Sequence, residues 1–434
     1  MPGGTREGEV DMHHAEPLAI YSLHFDRGDA DSGTIPLWNP VTDTRLGELP
    51  EWIRGHRAEP IAYVRGTRPS VRVSLLANHF VPSSFELSAF GPSLSTPSSP
   101  GTRIRWLGPH PVNLERTAGW STLAEPVPFN RPLPNHIGTH ALELQWVAEW
   151  TDADGSPRTL FLGDSQHELF TTGAPMRHGE TGAPVSGAYA PLVRWSSRWC
   201  AGLESRKDIC DAVLRGLPET GLRYGVPAWT VRHMLAVGGG MCGGWYQLFQ
   251  QLANIQGVRL EGRTLHLMPR EDARTDEVRW EAMVAVAPGI NQPEPSRLTR
   301  LHGRFQDCAH YPFAPDEPVE LLGRVESRYA FMAGWDDGHC LNFLEDSGRL
   351  YLYDACFRGE AVELDMPLPP ADGRPVRLGK DSSLRRRYLH PTLPFLMGTL
   401  RAHGRLWEVD LERNAFGITV GTEQVPEIDI MWTR

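Results

Sequence analysis

Cys242 lies in GGGMCGGWYQLFQQLANIQG, residues 238–257, where three glycines run into a thiol and an amphipathic stretch follows. The thiolate is the nucleophilic form of cysteine. The unpaired N–H groups and the dipole of a helix N-terminus favour that form. Trp245, Leu248, Phe249, Leu252 and Ile255 recur at helical spacing, so the sequence predicts a helix that opens at Cys242 and stops at Gly257. The glycines in front predict a close approach of the chain and an uncovered sulfur. The same backbone N–H groups could hold an oxyanion. A small buried cysteine is the competing reading, and position alone does not choose between the two.

A nucleophilic thiol needs a base, and the base needs an orienting group. HCLNFLEDSGRLYLYDA supplies both types: His339 opens one predicted strand and Asp354 closes the next. A two-residue turn at Ser347-Gly348 sets Asp354 opposite Leu341, and one at Asp346-Ser347 sets it opposite His339. Side chains alternate with period two, so His339 and Asp354 share a face in either register. A three-residue loop would set Asp354 opposite Cys340, on the other face. Asp354 follows the apolar LYLY, where a carboxylate is costly without a partner. An imidazole on the neighbouring strand answers that cost. A strand-end aspartate bonded to backbone is the alternative.

These stretches, with the helical SRKDICDAVLRGLPETG and the short AWTVRHMLAVGGG before them, resemble the transglutaminase-like superfamily of papain-fold cysteine enzymes. In that family a Gly-x-Cys opens the core helix, matched here by Gly240-Met241-Cys242. The helix end and following strand are matched by LANIQGVRLEGRT. The histidine strand and the aspartate that ends the next one are matched at His339 and Asp354. The resemblance covers about 195–268 and 335–356. It implies an α+β fold with a papain-like transglutaminase core, the cysteine helix packed on an antiparallel sheet. It implies a Cys242–His339–Asp354 triad, a thioester intermediate and an amide substrate. Peptide hydrolysis and glutamine deamidation stand ahead of cross-linking.

This chain departs from the family pattern in three ways. The interval between Cys242 and His339 requires an insertion near 269–325. Cys340 follows the histidine, and Asn342 stands where small and aromatic residues are frequent. The family's side-chain oxyanion donor has no assigned counterpart, with Trp229 and Trp335 as candidates. A catalytically silent binding module on the same scaffold is the rival class. A redox sensor at Cys242 would need a resolving cysteine, which the sequence does not place.

The elements before the core read as β. SVRVSLLANHF puts Val71, Val73 and Leu75 on one face, and FELSAFG and RIRWLG alternate likewise. ALELQWVAEW aligns Leu142, Leu144, Trp146, Ala148 and Trp150. Asp154-Gly155 then turns the chain into the return strand TLFLGDSQHELF. Residues 1–172 are therefore expected to form a β-sandwich domain, with a loop at 91–102. A Gly/Pro-rich linker is expected over 173–191, the catalytic core over 192–358, and a β/loop extension over 359–434.

Composition narrows the partners. The 434 residues carry a formal net charge of -10, and LRRRYLH is the one basic cluster, which argues against nucleic acid. No apolar run approaches the roughly 20 residues of a membrane span. The N-terminal stretch lacks a signal-peptide pattern, so a cytoplasmic protein is expected; a leaderless export route would leave no such mark. The partner implied is a protein or peptide substrate.

Six irregularly spaced cysteines and no CxxC make neither a disulfide framework nor a zinc site. Cys340 and Cys356, on facing strands, are expected as a reduced pair, and Cys210 as core. DADSG, residues 29–33, lacks the later glutamate of a calcium loop, and Cys308 with His310 reads as loop. No HExxH, P-loop or dinucleotide fingerprint occurs, so no cofactor and no metal are expected.

Overall fold

The computed structural model describes residues 18–25, 33–48, 50–56, 58–77, 82–94, 103–114, 119–123, 125–177, 187–269, 279–285, 299–304, 339–376, 382–392, 395–400, 405–408, 419–420, 423–424 and 428–433. The fold is α+β and rich in sheet. The chain divides into two compact units. Met1–Asn39, Asp43–Pro175 and Val185–Ser197 form one; Pro40–Thr42, Met176–Pro184 and Arg198–Arg434 form the other.

The first unit contains two five-stranded sheets that share one hydrophobic core. Ser70–Ala77 is central to one sheet, between Leu18–Phe25 on one side and Val127–Pro128 and Gly119–Thr122 on the other. Its predicted alternation is what is seen: Val71, Val73, Leu75 and Ala77 point inward. In the other sheet Gly138–Thr151 pairs along its whole length with Pro157–Thr172 and buries Leu142, Leu144, Trp146 and Ala148. Trp150, expected on that stripe, lies at the sheet end and is only partly buried; its indole N–H donates to Asp152 Oδ1 at 2.9 Å.

The last residues expected as linker are ordered. Ala188–Tyr189 pairs in parallel with Leu37–Trp38, and the helix Ala190–Trp199 follows. Residues 178–186 lie outside the described residues.

The second unit is organised by a six-stranded antiparallel sheet. Its order is Val362–Leu364, Arg349–Tyr353, His339–Asp346, Glu261–Pro269, Ile428–Thr433 and Asp372–Val376. Three of these strands come from the stretch expected as an extension, 359–434, which is thus built into the sheet. Two strands of the expected insertion, Arg279–Ala285 and Thr299–Arg304, join Phe395–Leu400 and Arg405–Glu408 in a separate four-stranded sheet. The rest of the insertion, with Cys308 and His310, lies outside the described residues.

Three helices position the site. Arg206–Gly216 starts at Ser205, whose Oγ accepts the Asp208 N–H at 3.0 Å, and it buries Ile209, Cys210, Val213 and Leu214. Val231–Val237 is capped by Thr230 and ends at Gly238 in the left-handed region, φ 84°. Cys242–Ile255 buries all five residues of the predicted stripe. Each such side chain stabilises the fold by roughly 1.5–3 kcal/mol relative to exposure.

Candidate active site

The hairpin sets the geometry. Ser347 (φ 52°) and Gly348 (φ 77°) are both left-handed, the conformation of a two-residue turn matched to strand twist. Asp346 therefore pairs with Arg349 and Asn342 with Tyr353, which places Asp354 opposite Leu341. Asp354 and His339 share a face, and His339 Nε2 lies 3.0 Å from Asp354 Oδ1. Both side chains are fully buried.

The carboxylate is held by backbone as well as by imidazole. Oδ1 also accepts the N–H groups of Cys356 (2.9 Å) and Phe357 (3.1 Å), and Oδ2 accepts the Tyr388 hydroxyl at 2.9 Å. Burial pushes the Asp354 carboxyl upward. The His339 charge and the hydrogen bonds from His339, Cys356 and Tyr388 outweigh it and hold the group below its ordinary value. Burial, then the Asp354 charge, push Tyr388 far up, so it stays a neutral donor. The Phe357 ring packs at 4.8 Å from the His339 ring.

Cys242 is the first residue of its helix, as the sequence predicts, but its sulfur is not uncovered: the residue is 7% exposed. The preceding glycines serve packing instead. A Cβ on Gly240 would stand 2.5 Å from Met234 Cγ and 2.9 Å from the Ala228 carbonyl oxygen. Trp229, 54% exposed, flanks the helix opening, its ring 3.3 Å from where a Cβ on Gly243 would lie. Trp335 lies outside the described residues.

The helix covers the other face of the hairpin. Asn342 Nδ2 donates to the Tyr246 carbonyl at 3.4 Å, and Phe249 stacks on Tyr353 at 5.3 Å. Strand alternation places Cys340 on this covered face and His339 on the opposite one. The side-chain interaction that sets the Cys242 thiol is accordingly with Cys340 and not with His339. Cys340 was expected beside Cys356; its hydrogen-bond partners are Cys242 and Thr264, whose Oγ1 lies 3.7 Å away. The bond to Cys242 brings the Cys340 thiol down to about 6 against its burial, while the same bond and burial push Cys242 up. The structure thus joins His339 to Asp354, and joins Cys242 to the residue next to His339.

His339, Asp354 and Cys356 place potential ligand atoms within 4.8 Å of one another. The set does not suit a metal. Three donors already crowd Oδ1 and a fourth meets Oδ2. Burial and the Asp354 charge keep Cys356 a thiol, whereas a ligand must be a thiolate. The described cysteines are free.

Comparison of the chain with protein-family models, with curated proteins and with solved structures finds no match. Sequence reading missed two members of this neighbourhood. Cys340 is expected only as a departure from a pattern and as a reduced partner of Cys356, not as the neighbour of Cys242. Tyr388 was hidden inside LRRRYLH, where the arginines dominate; the signal was the apolar flanking of Leu384 and Leu389 by period. No helix among the described residues is long and apolar enough to cross a membrane.

Proposed function

We propose that the second unit is a transglutaminase-like cysteine enzyme with a papain-like core, acting on amide bonds of a protein or peptide. The observation that carries this reading is the buried His339–Asp354 pair at 3.0 Å, one residue from a cysteine-facing position at a helix N-terminus. With Nε2–H donated to Asp354, Nδ1 is the basic nitrogen. In this reading His339 takes the proton from Cys242, which requires the sulfur to leave Cys340 and reach the histidine's face of the strand, and the thiolate attacks the amide carbonyl. Backbone N–H groups of the first helical turn hold the oxyanion. His339 then protonates the leaving amine or ammonia. Water resolves the thioester in a protease, amidase or glutamine deamidase, and an amine would resolve it in a cross-linking enzyme.

The rival reading is a catalytically silent scaffold that binds protein. The hydrogen bond of Cys242 to Cys340 and its 7% exposure favour it. Alkylation decides between the two. Native protein is treated with iodoacetamide from about pH 5 to about pH 9, and Cys242 is followed by peptide mass, with His339→Ala in parallel. The enzyme reading requires Cys242 labelling that depends on His339 and is lost in the variant, despite the rise that Cys340 and burial impose on the resting thiol. Slow labelling with an ordinary thiol profile, unchanged by His339→Ala, moves the binding scaffold to first place.

A further inference from the structure

The residue opposite His339 on the Asp354 carboxylate comes from outside the stretches that resemble the enzyme family. Leu384–Leu389 is a single wide helical turn of the π type, a form frequent at functional sites. It buries Leu384, Tyr388 and Leu389 completely. The turn is clasped to the aspartate's own sheet. Asp365, just past Val362–Leu364, donates its N–H to Ser383 Oγ at 2.8 Å. Its carboxylate accepts the Ser383 N–H at 3.2 Å and the Ser383 hydroxyl. Arg387 Nη1 donates to the Glu363 carbonyl at 3.0 Å. Val362–Leu364 in turn pairs with Arg349–Tyr353, the strand that ends at Asp354.

The result is a buried phenol aimed at one carboxylate oxygen. Tyr388 donates to Oδ2 at 2.9 Å, while His339 and two backbone N–H groups meet Oδ1. A carboxylate gripped at one oxygen still pivots about its Cβ–Cγ bond. Gripped at both oxygens, it presents a fixed plane to the imidazole. The phenol also has its own reason to stay, since a buried hydroxyl without a partner is costly.

We propose that Tyr388 is a positioning residue of the active site: it locks the Asp354 carboxylate so that Oδ1 holds His339 Nε2–H and the imidazole in one orientation. Its catalytic meaning rests on the cysteine-enzyme reading. The link from Tyr388 through Asp354 to His339 is testable without any substrate.

The full chain is labelled with 15N-histidine, and solvent exchange of the His339 Nε2 proton is read by NMR in the parent, in Tyr388→Phe, and with 3-fluorotyrosine at 388. Tyr388→Phe should speed exchange by about ten- to a hundredfold, the scale of one hydrogen bond to a charged group. The fluorinated ring keeps the shape and is a stronger donor, so exchange should slow. Exchange unchanged by both substitutions overturns the proposal and leaves Tyr388 as core filling. Should Tyr388→Phe not fold, the fluorinated chain decides alone: slowing supports the lock and no change removes it. Alkylation of Cys242 then separates the two ideas. A lock without fast Cys242 labelling keeps the positioning and discards the enzyme. With fast labelling, Tyr388→Phe should slow Cys242 alkylation by about tenfold.

Discussion

His167 and His339 are both buried histidines, one in each unit, and their surroundings give them opposite tasks. His167 is 3% exposed in the core of the first unit, against Phe25 at 4.9 Å and Trp52 at 6.4 Å. Its Nε2 meets only the hydroxyl of Ser165 at 2.9 Å, and its Nδ1 is buried without a hydrogen-bond partner. Burial drives it down to about 3, so it is neutral around neutral pH. His339 is just as buried but faces a carboxylate held by three further donors. Burial alone makes a histidine inert. Burial beside an ionised, fully bonded aspartate orients the imidazole instead.

The widest break in this comparison is Asp354→Ala. It leaves His339, the Tyr388 hydroxyl and two backbone N–H groups facing a void, and should destabilise the second unit by about 3–5 kcal/mol. Denaturant unfolding followed by a probe in that unit measures it. The corresponding cut in the first unit, Ser165→Ala, orphans two neutral groups, His167 Nε2 and the Trp146 indole N–H, and should cost about 1–3 kcal/mol for each left unpaired. An Asp354→Ala cost no larger than the Ser165→Ala cost per orphaned group would mean that His339 is no more than a second His167.

The next effect is pH dependence, and its sign comes from His167. A histidine lowered in the fold binds its proton in the unfolded chain first. Its stabilisation is complete above the ordinary value of 6.5 and is lost as pH falls from there toward about 3. The loss amounts to several kcal/mol over that window. Asp354, also lowered in the fold, contributes above the ordinary carboxyl value of 3.8 and loses that contribution as pH falls below it. Thermal melts between about pH 7 and about pH 4 should therefore weaken the first unit before the Asp354 contribution fails. His167→Phe should flatten that slope.

Much of the His339 environment was legible in sequence because it depends on period and turn chemistry. Alternation placed Asp354 on the histidine's face for either two-residue turn, and the structure takes the one at Ser347-Gly348. The Cys242 helix and its apolar stripe followed from spacing. Both readings of Asp354 proved compatible: it takes an imidazole and two backbone donors together. What spacing does not carry is which face a helix covers. That choice sets Cys242 against Cys340, and it depends on Phe249 and Tyr353 stacking across the unit. Tyr388 depends on a long-range return of the chain, 34 residues beyond its partner, which no local pattern encodes. His167 was likewise unmarked, because inert burial has no motif.

A smaller effect tests how the thiols divide their proton. Cys340→Ala removes the hydrogen bond that, with burial, pushes Cys242 up. The alkylation midpoint of Cys242 should fall, and its rate at neutral pH should rise several-fold, with stability changed by about 1 kcal/mol or less. An unchanged midpoint would mean that burial alone governs Cys242, as it governs His167.

The smallest effect lies in the turn that makes the comparison possible. Gly348 is left-handed, at φ 77°, and a Cβ there would meet nothing within 4 Å. Gly348→Ala therefore costs backbone strain without a clash, about 1 kcal/mol, read from the unfolding midpoint of the second unit. The Asp346–Arg349 pairing should survive it, and with it the shared face of His339 and Asp354. Ser347→Asn, at φ 52°, should recover a few tenths of a kcal/mol, because asparagine tolerates that conformation better. The His339 Nε2 proton should be unmoved in both variants. A shift in that resonance from Gly348→Ala would show that register, rather than the grip of four donors, holds the histidine in place.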